Sequence, residues 1–562
     1  MYGSQFVRSA KVAPTLAALL LFVAAASAQT VTALYTYPQD SRGYTGISAT
    51  SKMSQGRDGN LYSTIIDDGP LAAGEAYRIT PSGVFNTVYA FCQQPKCADG
   101  AQPKGGLILG LDGNLYGTTA VGGVNNTGVG TVFQLTPSGT LTKVYDFTSG
   151  TDGGYPSFGL LQAADGNFYG VNSDVYAGDF GLAYKLTPKP TPPWPIKVLG
   201  DFNAADGSVP NLFTQGADGN FYGSTYLGGT HCAHGCGVVY KMTAAGKLSV
   251  LHDFQAYPID GLVPVGILAE GLDGDFYGTT YQGGANNYGS IFKTSPTGAF
   301  TELWSFDPTP TKVDGNNPYA GLTLGSDGNF YGATVHGGSM GAGALYRITP
   351  AGKLTVLYSF CPTRSCTTGF SPITSLVQHT NGKFYGITSG NSLGGSYFYS
   401  LDVGLGPFIS PMTRFGKAGG TVEILGTGLL GASGVTFGTG SATSFTIVSD
   451  TYMTAVIPSS GTVGNITVST SSGTLSSIRP FKILPVVKSF TPTIGPPGTV
   501  VTITGTSFLG ATKVTIGGVA CTFAVNSDTQ ITATVATLAK TGKIAVTTPG
   551  GVATSAASFT VN

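Results

Sequence analysis

Few residues in this 562-residue chain could do chemistry, and they are scattered. The densest group is His231, Cys232, His234 and Cys236, whose two imidazoles and two thiols could supply four ligands to zinc. Their spacing matches no zinc motif, and in an oxidising compartment the two thiols would sooner join as a disulfide. A second group is a recurring phrase, Asp-Gly-Asn followed by Leu or Phe and then Tyr, whose oxygens suit a hard cation. Calcium wants six to eight oxygens, and one copy of the phrase offers two or three. The third reading is acid–base chemistry. His336 occupies a place where other repeats carry Val121, Leu227 and Gln282, and Asp67, Asp68 and Asp174 lie at the ends of the corresponding divergent strands. If these ends line one channel mouth, a general base and a general acid would face each other there. No nucleophile, metal or paired-carboxylate signature accompanies them, so the first expectation is a chain without a catalytic group, a resident metal or a cofactor.

Whatever positions these groups is a repeat. The phrase starts at Asp58, Asp112, Asp165, Asp218, Asp273, Asp327 and, as Asn-Gly-Lys, at Asn381, every 53 to 55 residues. A period of this length with turn residues and aromatics at fixed offsets marks a repeat architecture. One unit, residues 106–147, carries four strand signals punctuated by Gly, Asn, Pro and Ser, and so reads as a four-stranded antiparallel meander. The Asp-Gly pair predicts a type I′ hairpin turn with both residues at positive φ. The Tyr that closes each phrase, from Tyr62 to Tyr385, is expected to pack between units, because a residue present in all seven serves their common geometry. Function should lie in the positions that the units do not share.

A sheet of four short strands cannot bury both faces alone, so neighbours must stack, and radial stacking gives a β-propeller. The fourth-strand signal is displaced along the chain. It appears first at Val31, before any phrase, and is missing after the last. The expected fold is therefore all-β: a seven-bladed β-propeller closed by the N-terminal strand, in which residues 31–37 complete the last blade and remove an open edge.

Arg8 and Lys11 precede an apolar run, residues 16–23, that ends in Ala26-Ser27-Ala28, which reads as a signal peptide over residues 1–28. No other stretch could span a bilayer, so no transmembrane anchor is expected in the mature chain. Twenty-eight basic and 28 acidic residues give zero formal charge, and without a basic cluster nucleic acid is not an expected partner. Export favours three local disulfides, Cys92 with Cys97, Cys232 with Cys236 and Cys361 with Cys366, leaving Cys521 as a buried, apolar thiol.

The unit GL-x4-DGN(L/F)YGTT-x2-GG, continued by G-x-VF-x-LTPSG and L-x3-Y-x-F, resembles the GloVer tandem repeat of secreted bacterial proteins. That resemblance covers residues 31–402 and implies an exported, surface-associated role with no particular activity. Beyond it the period changes. GGTVEILGTGLLGASGVTFG at Gly419 and PGTVVTITGTSFLGATKVTIGG at Pro497 align, and both resemble the IPT/TIG immunoglobulin-like domain. The predicted division is signal peptide 1–28, propeller 29–405 and two Ig-like β-sandwiches, 406–484 and 485–562. Pro485 and residues 492–497 suggest a stiff joint between the sandwiches, which are expected to extend away from the propeller. The composite predicts an exported protein, extracellular, surface-held or periplasmic, that binds, adheres or scaffolds. Its expected partner is a glycan or another cell-envelope component, met by the variable loops, and an extracellular hydrolase or lyase acting on polysaccharide is the alternative. Oligomeric state is not legible.

Overall fold

The computed structural model describes residues 29–38, 52–67, 69, 71–123, 128–172, 180–232, 235–309, 314–361, 368–389 and 395–562. The expected signal peptide, residues 1–28, and Asp68, Asp174, His234 and Cys366 lie outside the described residues. Each copy of the phrase lies in a sheet of its own, and the seven sheets share one antiparallel order. In the second unit the inner strand Ile108–Leu109 pairs with Leu115–Thr119, then Thr131–Leu135, then the outer strand Leu141–Asp146. The second strand is wholly buried and the third is buried at every residue but Gln134. Sheets packed on both sides have two interior faces, so apolar residues run continuously there and exposure concentrates in the outer strand.

The expected type I′ turn is not formed. Asp58 and its counterparts are absent from the positive-φ residues, whereas Gly59 lies at φ +78° and Gly113 at +86°. The turn runs from Gly56 to Gly59, closed by the Gly59 N–H on the Gly56 carbonyl at 3.1 Å, with Arg57 and Asp58 at its centre. Only the glycine needs the left-handed conformation, as in a type I turn followed by a bulge. The Asp stays out of it because its carboxylate is held by its own turn: Asp58 accepts from Asn60 N (3.1 Å), Asn60 Nδ2 (2.6 Å) and the Tyr62 hydroxyl (2.7 Å).

The last sheet takes its outer strand from the other end of the repeat region. Thr30–Tyr37 pairs antiparallel with Ser396–Asp402, from Thr30 opposite Asp402 to Tyr37 opposite Ser396, with a bulge between Ala33 and Tyr35. One core cluster joins Tyr37, Tyr385, Ile387 and Phe398 to Met53, Leu61 and Tyr77 of the first unit.

Two β-sandwiches follow with matching strand order. In the first, Thr421–Leu425 and Tyr452–Val456 face Gly434–Phe437 and Ile466–Thr470 across a core of Ile424, Phe437, Met453 and Phe481. Cys521 is a free, buried thiol in the equivalent core of the second. Two expectations need correction. Residues 492–497 are no joint, because Ile494–Gly495 is a strand of the second sandwich paired with Thr560–Val561; Pro485 alone separates the strands Lys482–Leu484 and Val486–Thr491. Nor does the first sandwich extend away. It docks on the repeats, where Arg414 and Arg479 both bind Glu270 and Arg57 pairs with Glu423. Glu270 is 5% exposed, and a carboxylate that dry needs paired cations, whose removal typically costs about 3–5 kcal/mol.

Candidate functional site

The residues that the units share are occupied by structure. In six phrases the Tyr hydroxyl donates to the Asp carboxylate, at 2.6 to 2.9 Å, and in the seventh Asn381 Nδ2 donates to the Tyr385 oxygen. The same ring packs on the Phe of the following phrase: Tyr169 on Phe221 at 4.5 Å, Tyr222 on Phe276 at 3.8 Å and Tyr331 on Phe384 at 4.1 Å. Such pairs contribute about 0.5–1.5 kcal/mol beyond area burial. Burial alone would raise the Asp218 carboxyl, but donors from Asn220, Tyr222 and Lys241 outweigh it and hold it at about 2.

In a meander, successive turns alternate between the two ends of the sheet. The Asp-Gly-Asn turns therefore share one end, and the loops between second and third strands share the other. The first sandwich sits on the turn end, where Thr451 Oγ1 donates to the Arg57 carbonyl (2.7 Å) and Thr380 Oγ1 to the Gly426 carbonyl (2.8 Å). Inner-strand residues of several units enclose a cavity of about 550 Å³, and residues 410–415 and Arg479 of the sandwich line it as well. The first sandwich thus covers part of the turn end of the sheets.

On the loop end three tyrosines from neighbouring units converge. Tyr226 of the fourth unit is 38% exposed and Tyr319, before the sixth, is 41% exposed. Tyr281 of the fifth meets Tyr319 edge-on at 5.4 Å between ring centres. Burial pushes the Tyr226 hydroxyl up, and the neighbouring Tyr319 and Tyr281 hydroxyls add to the shift, so it remains a neutral donor. The backbone beneath is fixed: Asn317 Nδ2 donates to the Tyr281 carbonyl (2.8 Å), and Asn316 and His336 exchange backbone hydrogen bonds of 2.9 and 3.2 Å. Gln282 and Tyr288 are exposed alongside. Tyrosine hydroxyls, amide groups and ring faces are thus grouped at this end.

His336 is exposed on this rim, one residue after the buried Val335, and no hydrogen bond or ion pair of its side chain occurs among the described residues. Asp67 is half-buried in the first unit, and nothing among the described residues joins it to His336. Cys232 and Cys236 form a disulfide, as do Cys92 and Cys97. Disulfide sulfurs are no thiolates, and His231 Nδ1 lies 3.1 Å from Asp253, so zinc ligation would require breaking that bond first. Cys361 is likewise disulfide-bonded.

The family model of the Gloeobacter/Verrucomicrobia repeat matches residues 20–230 and 194–399, together more than half of the chain. The chain belongs to the Gloeobacter/Verrucomicrobia repeat family. An IPT/TIG domain model matches residues 485–561. Among curated proteins none matches. Solved structures offer distant likenesses. The extracellular domain of a protein described as a hybrid two-component system, from Bacteroides thetaiotaomicron, is 11% identical over 93% of this chain and 58% of its own, with a TM-score of 0.44. A fungal alcohol oxidase in complex with copper is 12% identical over 95% and 99%, with a TM-score of 0.40. A surface glycan-binding protein from Prevotella bryantii is 19% identical over 27% and 41%, with a TM-score of 0.21.

Within the Gloeobacter/Verrucomicrobia repeat, two sets of residues escape a reading centred on the Asp-Gly-Asn phrase. Three places before the phrase stand Gln55, Gln162, Gln215, Glu270 and Gln378. Each side-chain oxygen accepts a backbone N–H from the preceding unit: Leu111 to Gln162, Ala164 to Gln215, Ala217 to Glu270, Ser326 to Gln378, and Thr380 to Gln55, at 2.8 to 3.0 Å. Their constant offset was the available signal. Tyr319 is the other omission; it follows a Pro where other units carry Lys104, Ser157, Asn211, Val265 and Ile373.

Proposed function

We propose that the chain is an extracellular binding protein in which a closed seven-bladed β-propeller, floored by its first Ig-like sandwich, presents a tyrosine-lined face to a saccharide. The observation that carries this reading is the contact of Tyr281 with Tyr319 at the loop end, with Tyr226 close enough to feel both hydroxyls, at places where other units hold Ala120, Val335 or Lys104. Residues outside the common pattern are free of the ring's structural demands, and three aromatics on one arc form a stacking surface. Ring closure is supported by three contacts between the last and first units: the strand pairing of Thr30–Tyr37, the shared core around Tyr385, and the Gln55–Thr380 lock. That lock has the form found between other adjacent units. The family resemblance and the disulfides favour an extracytoplasmic setting.

The test is a glycan and cell-envelope polymer panel screened with the purified chain. Saturable binding is expected, weakened at least roughly tenfold by Tyr281→Ala and Tyr319→Ala together, with thermal stability retained. Binding indifferent to these changes, or turnover of a polysaccharide abolished by His336→Ala, would contradict it.

A further inference from the structure

Among the described residues four tyrosines are more than a third exposed, and all four lie between the fourth and sixth units: Tyr226, Tyr257, Tyr288 and Tyr319. Every other described tyrosine is buried or half-buried. All four stand at the loop end, because the connection from an outer strand to the next inner strand leaves from the same end as the loop between second and third strands. Tyr257 lies on such a connection, after the outer strand Leu248–Asp253. Apolar side chains scattered singly over a surface need no explanation, whereas exposed aromatics gathered on one arc mark a contact surface.

The same arc carries little charge. Its described segments, 226–231, 254–261, 281–289, 306–309, 314–319 and 335–343, contain no Lys, Arg or Glu. Their three carboxylates serve the fold. Asp260 is buried and meets His252 Nε2 at 2.7 Å and the Gln255 N–H at 3.0 Å; Asp314 is buried and accepts the Trp304 indole N–H at 3.0 Å; Asp307 accepts the Thr309 N–H at 3.0 Å. Beside the rings the Gln282 amide and the Ser339 hydroxyl are exposed. The loop end differs elsewhere: Lys96 is exposed between the first and second units, and Lys104 holds there the place that Tyr319 has here.

An anionic polymer is held by Lys or Arg, and a cationic one by free carboxylates. Ring faces with amides and hydroxyls instead suit the apolar faces and hydroxyls of an uncharged sugar. Resting on the saccharide reading above, we infer that the ligand is an uncharged polysaccharide, lying along the arc of Tyr226, Tyr257, Tyr288 and Tyr319 and held without an ion pair. Lys312, on the connection that carries Tyr319, lies outside the described residues and on this reading takes no part in binding.

Biolayer interferometry of the purified chain with dextran, β-glucan and galactomannan, against dextran sulfate, polygalacturonate and diethylaminoethyl-dextran, tests this at about pH 8, where free imidazoles are uncharged. At least one neutral polymer is expected to bind roughly tenfold or more tighter than every charged one, with less than about twofold change between low and high salt. Tyr257→Ala and Tyr288→Ala, both at exposed positions and so expected to fold as the parent does, should each weaken that binding at least about threefold, and Lys312→Ala should leave it unchanged. Preference for a charged polymer, binding lost at high salt, dependence on Lys312, or indifference to both tyrosine changes would overturn the inference and leave a saccharide-binding face standing. No binding of any of these polymers would overturn both.

Discussion

At His379 a single buried imidazole ties the last repeat to the first. Its Nε2–H donates to the Gly59 carbonyl at 2.9 Å and its Nδ1 accepts the Asn381 N–H at 3.0 Å, an arrangement that only the neutral ring can make. Burial lowers its pKa below the ordinary 6.5, although the Gly59 and Asn381 contacts pull the other way. A depressed pKa means stability that is present above 6.5 and lost as pH falls through the folded-state value. The melting temperature should therefore fall on acidification below about pH 6.5, and His379→Gln should flatten that slope. An unchanged slope would show that the imidazole does not titrate with unfolding. At the same scale, the tyrosines of the loop end are informative because they break a pattern. His231 and the nearby cysteines are not, since disulfide formation and Asp253 account for them.

Among the elements, the meander was legible because turn residues and aromatics punctuate every unit at fixed offsets. The turn type was not, since Asp-Gly suits a type I′ turn by conformational preference, while the Asp–Tyr and Asp–Asn hydrogen bonds select a turn with glycine alone at positive φ. The glutamine lock was equally hidden: its partner lies one unit away, and such distance leaves no trace except a repeated offset. Replacing Gln55 by Leu, the residue found there in two other units, should cost about 1–3 kcal/mol, because the Thr380 N–H loses its acceptor in a buried setting. Urea denaturation measures it, and a change well below this range would show that water substitutes for the amide.

For the whole molecule, the pairing of the first strand with the last sheet and the docking of the first sandwich on the repeats are the long-range contacts that matter. The displaced fourth-strand signal pointed to closure because seven outer strands can be counted along the chain only if the first is borrowed. Docking of the first sandwich was not legible: Arg414, Arg479 and Glu270 lie far apart in sequence and carry no local pattern. Deleting residues 29–38 should sharply lower the melting temperature, since it strips the outer strand from the last sheet and part of the core around Tyr385. An unchanged melting curve would contradict a closed ring. The central claim is that the loop end, around Tyr226, Tyr281 and Tyr319, is the binding face. Hydrogen–deuterium exchange of the purified chain with and without a saccharide from the panel tests it most directly. The account predicts slowed exchange in residues 226–230, 281–289 and 315–320 and none in the sandwiches; protection confined to the sandwiches or to the Asp-Gly-Asn turns would contradict it.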